Sequence, residues 1–340
     1  MNRAFPLESL LLGDSLPSSE WKNIFLSLFR RKLTTPESKI LLLLMARIGE
    51  DGKSAAGCLQ ALRRLEPPKR INLPFLIDVC GTGGDGRHTF NISTVSSFVI
   101  AGAGGYVAKH GNRSVSSKVG SSDLMEALGV RIEVPFSQMM KALRQSRLAY
   151  FHAPLYHPSF SYLQPLRREL GIRTLFNLLG PLVNPVQLGF QVIGVSNAAW
   201  LLSISEAAKF LNRRRAAVLR SEDGLDELST RSSSDILYLE GRKIKKMKVS
   251  PAELGFKKPG KHAYEGGDLA TNRRIALGIL EGRLRGPEKD IVLLNSGFAL
   301  WIAGLAPSIK EGIEKSRWSI RTARALQALE GLRRISKERN

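Results

Sequence analysis

Cysteine is scarce in this chain, with Cys58 and Cys80 the only two among 340 residues. Two thiols so placed make neither a disulfide framework nor a zinc-type cluster, and they read as reduced thiols of a cytosolic protein. Long apolar runs are missing too. Ile40–Ala46 runs to seven residues, against the roughly 20 of a membrane-crossing helix. Met1–Glu20 lacks a basic start followed by an apolar core, so no signal peptide is expected there. No G-x-x-x-x-G-K-S or G-x-x-x-x-G-K-T pattern occurs, which disfavours an ATP-hydrolysing site. No internal repeat or low-complexity tract is visible.

Negative charge is also in short supply. Asp and Glu number 30 against 51 Lys and Arg, a net charge of +21. Such a surplus suits nucleic acid, anionic membranes or small polyanions. It is spread out, with dense stretches at Arg242–Lys261 and at Arg333–Arg339. The simplest reading is solvated surface, and nucleic-acid binding is not expected as the main function.

What is present is an ordinary globular composition, 43% apolar and 24% charged, at a length above one typical domain. The first 72 residues read as a small helical domain. Trp21, Ile24, Phe25, Leu28 and Phe29 share one helical face. Thr35 and Pro36 suit the start of a second helix through Ile40–Met45, and Ser54–Leu65 forms a third. Pro67, Pro68 and Pro74 mark a linker. Residues 73–340 then alternate strands and helices, which implies a large α/β domain with a mostly parallel sheet. Strands are expected at Phe75–Val79, Tyr106–Ala108, Val130–Val134, Phe190–Val195 and Ala216–Leu219, with a hairpin at Ile236–Glu240 and Ile244–Val249. Helices are expected at Asn91–Gly102 and Gly120–Leu128, and Glu311–Arg334 reads as one basic helix.

Two loops carry the chemistry. The first follows a strand and enters a helix, with glycines at 81, 83, 84 and 86. Glycine lets backbone approach a ligand closely, and a helix N-terminus favours phosphate. The second, Lys109–Ser121, follows the next strand and is rich in Lys, Arg, Asn and Ser. Taken singly, one could be a structural turn and the other solvated surface. At the carboxyl ends of neighbouring parallel strands they face a common crevice. The pair Asp226–Glu227 follows the strand at Ala216–Leu219, so it falls at the same end of the sheet. Hard carboxylate oxygens suit Mg²⁺.

The segments GTGGDGRHTFNIST, VAKHGNRSVSSKVGSSDLMEALGV and RRELGIRTLFNLLGPLVNP resemble signature segments of the anthranilate phosphoribosyltransferases. The match is near-continuous from about residue 76 to 195 and resumes at DGLDELS. The resemblance implies a nucleoside phosphorylase/phosphoribosyltransferase-like fold, in which residues 163–185 return to the helical domain, and a homodimer. It implies transfer of phosphoribosyl from phosphoribosyl pyrophosphate (PRPP) to anthranilate with Mg²⁺, two ions per subunit. PRPP contacts carry over to Gly81, Gly84, Asp85, Thr89, Asn91, Ile92, Ser93 and Thr94. They continue through Lys109, His110, Gly111, Asn112, Arg113, Ser114, Val115, Ser116 and Ser117, with Ser121 beyond. Anthranilate contacts carry over to Gly81, Asn112 and Arg167, with His110 and His157 lining the aromatic substrate's path. Metal ligands carry over to Ser93, Asp226 and Glu227. No acid, base or nucleophile is assigned. The sequence departs from the family at Thr271 and Arg273, on a helix expected to lie outside the main site, and at His152, near the substrate entrance. A nucleoside phosphorylase of similar fold, or a nucleic-acid-binding relative, are the alternative readings.

Overall fold

The computed structural model describes residues 6–48, 52–113, 118–172 and 174–338, and of Ser161 the backbone alone. The chain opens with helices α1 (Leu7–Leu12), α2 (Ser18–Phe29), α3 (Thr35–Ile48) and α4 (Gly52–Leu65). Strands β1 (Leu76–Gly81) and β2 (Tyr106–Gly111) flank α5 (Ile92–Gly102). Helices α6 (Ser121–Ala127) and α7 (Phe136–Ser146) lead to β3 (Leu148–His152). Next come α8 (Ala153–Tyr156), α9 (Pro158–Leu170), α10 (Phe176–Leu179), β4 (Phe190–Gly194), α11 (Ala199–Ala208) and β5 (Arg215–Ser221). Strands β6 (Ser234–Glu240) and β7 (Lys243–Val249) form a hairpin. Helices α12 (Leu269–Leu280), α13 (Pro287–Ile302), α14 (Ile309–Arg321) and α15 (Arg324–Ser336) close the chain.

The described strands form one sheet in the order β3-β2-β1-β4-β5-β6-β7. Pairing is parallel from β3 to β5, and β6 and β7 are antiparallel additions. The strand order reverses at β1, which has β2 on one side and β4 on the other. Loops after β1 and β4 therefore part there and leave a crevice at their carboxyl ends.

Strand alternation divides the interior in two. Val192, Ala217 and Leu219 face a core built on α5, α13 and α15. Ile193, Ala216 and Val218 face a second core made with α2, α3, α4, α9 and α10. Helix α5 buries Ile92, Val95, Phe98, Val99 and Ile100, so it is apolar around its circumference and sits wholly inside. In the second core Phe25, Phe29, Phe160 and Phe176 form an edge-and-stack cluster with centroids 5.5 to 6.1 Å apart. Burying one such ring is worth roughly 1.5–3 kcal/mol. The chain passes between the helical region and the sheet after α4, after β3 and after α10. The first and last of these passages are zipped together by a parallel bridge at Lys69 and Val186, with Lys69 N–H donating to Pro185 O at 2.8 Å.

Two expectations are overturned. Val130–Val134 is not a strand, although its period-two pattern is real: Val130, Ile132 and Val134 are buried while Arg131 and Glu133 are exposed. The β2 edge is taken by β3 instead. The extended segment satisfies its backbone elsewhere, with Arg131 N–H donating to Ser336 Oγ at 3.0 Å. The basic C-terminal helix is two helices, α14 and α15. Ala323 between them adopts a left-handed φ of 57° that an α-helix cannot carry through.

Candidate active site

The crevice is organised by two residues that have no side chain. Gly81 ends β1 and pairs in register with Gly194 of β4. A Cβ on Gly81 would stand 2.2 Å from Asp226 Oδ2, and one on Gly194 would stand 1.6 Å from the Asp226 carbonyl oxygen. The loop after β5 thus lies across the β1 and β4 ends, and it can do so only because both lack a Cβ. Gly83 N–H then donates to Asp226 Oδ2 at 2.8 Å. The far side of that loop is pinned by Asn295, which accepts from Leu228 N–H at 3.0 Å and donates to Leu228 O at 2.9 Å.

Three carboxylates influence one another here. Burial raises Asp226, and the charge of Asp85 adds to it. Burial raises Glu227 also, followed by the charge of Asp226, while Lys109 and the Ser93 backbone N–H oppose the shift. Like charges held together in low dielectric resist joint ionisation unless a cation joins them. Asp85 Oδ1 accepts from Arg87 N–H at 3.0 Å, but its Oδ2 is buried without a partner among the described residues. Carboxylate and hydroxyl oxygens are the donor types a hard divalent cation such as Mg²⁺ takes, although among the described residues no three of His, Cys, Asp and Glu stand together as a ready metal-binding group.

The first loop reaches α5 through Gly83, Gly84 and Gly86, all at left-handed φ. It is strapped from outside. Phe90 N–H donates to Tyr264 O, Thr89 bridges Glu265, and Asn91 N–H donates to Asn272 Oδ1 at 3.2 Å. Helix α12 was expected to lie away from the site, but its Asn272 supports the loop directly. Asn91 Oδ1 and Thr94 Oγ1 at the start of α5 are buried without a partner among the described residues. Buried polar atoms rarely go unpaired, so this end of α5 is short of donors and acceptors that a ligand can supply.

The second loop contributes less free charge than its composition suggests. Lys109 is 2% exposed, and its Nζ donates to Val79 O at 2.9 Å and approaches Ser93 Oγ at 3.4 Å. Its charge therefore acts from beneath the crevice. Arg113 is tied to Glu126 at 2.6 Å and Asp123 at 3.1 Å. Gly111 ends β2, where a Cβ would stand 2.2 Å from Ser121 Oγ. Asn112 O accepts from Ser122 N–H and Ser121 Oγ. Tyr150 OH bonds both Ser121 Oγ at 3.0 Å and Ser122 Oγ at 2.7 Å, and Ser122 Oγ meets His152 Nδ1 at 2.9 Å. His152 thus belongs to a polar chain that ends on Ser121. Residues Ser114, Val115, Ser116 and Ser117 lie outside the described residues.

Beside this loop, two histidines stand edge to face, with centroids 5.1 Å apart. His110 Nδ1 lies 3.2 Å from Gly180 O. A carbonyl only accepts, so Nδ1 carries the proton and Nε2 the lone pair. Burial, with His157 adjacent, lowers His110 to about 3, which keeps it neutral. His157 Nδ1 donates to Glu66 Oε2 at 3.0 Å. Both Nε2 atoms are buried without partners among the described residues. Half-buried Arg167 donates from Nη2 to Asn177 Oδ1 at 3.0 Å, and its buried Nε has no partner among those residues.

Gly194, Tyr150, Glu66 and Asn272 were not singled out from the sequence. Gly194 ends a strand as Gly81 does, a signal that was there to be read. Tyr150 reads as a core aromatic inside LAYFH, and its hydroxyl partners become visible only in three dimensions.

Residues 73–326 match the family model described as glycosyl transferase family, a/b domain. An anthranilate phosphoribosyltransferase of Prochlorococcus marinus (strain MIT 9313) is 40% identical over 328 residues, covering 96% of this chain and 93% of its own. The crystal structure of anthranilate phosphoribosyltransferase from Thermus thermophilus superposes with a TM-score of 0.90 at 34% identity, covering 98% of this chain and 99% of its own. The Saccharomyces cerevisiae enzyme, solved in complex with PRPP and Mg, superposes with a TM-score of 0.89 at 25% identity, over 97% of this chain and 96% of its own.

Proposed function

The chain belongs to the anthranilate phosphoribosyltransferases, and on that footing we propose that its β1/β4 crevice binds PRPP with Mg²⁺ while anthranilate enters past His110 and His157. The reaction of the family transfers phosphoribosyl from PRPP to anthranilate. It yields N-(5-phosphoribosyl)anthranilate and pyrophosphate, a step of tryptophan biosynthesis.

Gly81, Gly84, Asp85, Thr89 and Asn91–Thr94 cradle the pyrophosphate and ribose, using the dipole and free groups at the start of α5. Lys109–Ser117 and Ser121 complete the PRPP contacts. Mg²⁺, two ions per subunit, would be held by Ser93, Asp226 and Glu227 and would neutralise charge on the leaving pyrophosphate. Arg167 holds the anthranilate carboxylate, with Gly81 and Asn112 beside it, since a guanidinium grips a carboxylate with two parallel bonds. Neutral His110 offers a lone pair on the aromatic substrate's path and adds no charge to compete for that carboxylate.

An arylamine is nucleophilic without deprotonation. The C1–N bond forms as the C1–O bond to pyrophosphate breaks, and the cationic nitrogen so formed then passes its proton to water or to the released pyrophosphate. No side chain is needed as a base, so the residues act by holding both substrates in reach and by electrostatic stabilisation.

The observation that carries this reading is the buried pair Asp226–Glu227, which feels the charge of Asp85 and is bonded to the glycine loop through Gly83 N–H. The division into a helical domain, 1–72 with 163–185, and a catalytic domain, 73–340, is part of the same proposal. It is supported by the second core, which combines Trp21, Phe25 and Leu41 with Leu163 and Phe176. A homodimer through the helical domain is supported by Leu11, Leu12, Ile40 and Leu43, all exposed on α1 and α3. No helix among the described residues is long and apolar enough to cross a membrane, and a cytoplasmic location is proposed with the reduced thiols.

The deciding measurement is loss of anthranilate fluorescence on mixing with PRPP and Mg²⁺. Loss that requires both, and that Asp226→Ala/Glu227→Ala abolishes, supports the reaction and the metal pair together. No loss with folded wild-type protein would overturn the reading.

A further inference from the structure

Arg213 stands just ahead of β5 and is 7% exposed. A guanidinium has five N–H donors and stays charged in almost any setting. Only neutral oxygens meet this one: Gln191 Oε1 and Leu188 O, both at 3.3 Å and at the long end of hydrogen bonding. Among the described residues no carboxylate lies within ion-pair distance of it. The charge of Asp78 is felt at Arg213, but no bond joins them: Asp78 Oδ2 accepts from Asn184, and its Oδ1 is buried without a partner among the described residues. Burial lowers Arg213 to about 9, and the positive charge of Arg63 adds to the shift. Arg63 projects from α4 and donates to Phe210 O at 2.8 Å, again a neutral oxygen.

Both guanidinium groups line one cavity of about 30 Å³, together with Asn184, Glu66 and His157. The Glu66 carboxylate makes no ion pair with either of them among the described residues. Its Oε2 accepts from His157, and its Oε1 accepts from Ser159 N–H and Oγ. A water needs roughly 10–15 Å³ on this measure, so the space suits a compact ion and is too small for an aromatic amino acid. Leu59, Leu62, Leu182, Val183 and Leu211 supply an apolar part of the lining around these charges. An unpaired buried charge is costly, and a counter-ion removes much of that cost.

We propose that this cavity, which shares His157 with the anthranilate path but none of the residues of the two PRPP loops, is an anion site in which Arg63 and Arg213 together bind a small oxyanion of the size of phosphate. Arg63 belongs to the helical region and Arg213 to the sheet. The cavity lined by Pro68 and Asn184 also lies beside the zipped passages at Lys69 and Val186. A bound oxyanion is therefore a brace between the two cores at the place where two of the connecting segments run together. The inference does not depend on the identity of the substrates.

Two measurements test it on the full chain. In crystals soaked with selenate, an anomalous peak is expected between Arg63 and Arg213, separate from any peak at the start of α5. Absence of a peak there in crystals that take up selenate at the α5 start would overturn the proposal. Thermal unfolding with inorganic phosphate up to about 20 mM, at ionic strength held constant with chloride, reads the brace. The melting temperature of the wild type should rise to a plateau, by the mass action of a ligand that binds the folded state. Phosphate in the PRPP crevice contributes equally to the variants, so the difference is what counts. Arg213→Gln should lose at least half of the rise. Should that variant not fold, half-buried Arg63→Gln serves the same comparison. An undiminished rise in whichever variant folds would sink the idea.

Discussion

A Cβ on Gly194 would sit 1.6 Å from the carbonyl oxygen of Asp226, a backbone atom that cannot swing aside. The metal-pair loop is thus laid directly on a strand end, and its height above the sheet is set by one missing methyl group. Gly194→Ala should lift the loop, break the Gly83 N–H bond to Asp226, and cost about 1–3 kcal/mol of stability through overpacking. Turnover should fall 100-fold or more with the Mg²⁺ requirement shifted to higher concentration. Steady-state kinetics against Mg²⁺ and PRPP would check this, and unchanged Mg²⁺ dependence would argue against it.

Arg167 holds its geometry through Asn177 and the ring of Phe176, 5.7 Å from the guanidinium carbon. Lysine keeps the charge but loses the fork. Arg167→Lys should raise KM for anthranilate by about 10- to 100-fold, the worth of one to two charge-assisted bonds, and leave KM for PRPP within about twofold. Equal loss on both substrates would place Arg167 in a structural role.

Tyr150→Phe removes the hydroxyl shared by Ser121 and Ser122. The two serines keep their places in α6 but lose a buried partner, at a cost of about 1–3 kcal/mol. KM for PRPP should rise several-fold with little change in anthranilate binding. Parallel thermal melts would show whether the kinetic effect exceeds the loss of stability.

Burial alone would raise the Glu66 carboxyl. The bonds from His157 and Ser159 outweigh it and hold the group below its ordinary value. A carboxyl depressed in the folded state stabilises the protein above the unfolded pKa, about 4.3. That stability is lost as pH falls through the lower folded value. Glu66→Gln should therefore cost roughly 1.5–3 kcal/mol at neutral pH. The gap from wild type should narrow below about pH 4.3. Unfolding of both proteins across pH 3 to 7 would reveal a flat gap if these bonds are unimportant.

Leu43 is 47% exposed on α3, near Leu11 and Leu12 of α1, which Arg47 ties in through Leu11 O. Leu43→Glu should leave the fold intact and shift the mass measured by light scattering from dimer to monomer. A wild-type monomer would remove the proposal altogether.

The parts legible in the sequence were those whose signal is local. The glycine-rich loop, the polar loop after β2 and the Asp226–Glu227 pair each follow a strand, and parallel topology alone brings them to one end. The parts that were not legible depend on partners distant in sequence. Val130–Val134 has a strand's alternation, but β3 occupies the edge of β2 that it would need. The break at Ala323 is a single left-handed residue inside a continuous helical pattern. Lys109 looked like a ligand-facing cation. It is buried because Val79 O and Ser93 Oγ, on two other elements, converge on its ammonium. Asn272 looked remote because its bond to Asn91 spans 181 positions.

The last strand of the sheet gives the surplus of positive charge a use unconnected with any ligand. β7 reads KIKKMKV and has a paired neighbour on one side only. An open strand edge invites a second chain to dock there, and lysines discourage it. Lys243, Lys245, Lys246 and Lys248 are all exposed, while Lys248 and Lys245 are each steadied by a glutamate, Glu222 and Glu240. Like charges facing each other across two such edges would repel before any backbone bond could form. Part of the basicity of this protein is then a safeguard against aggregation through its own sheet, and replacing these lysines would cost solubility before it cost catalysis.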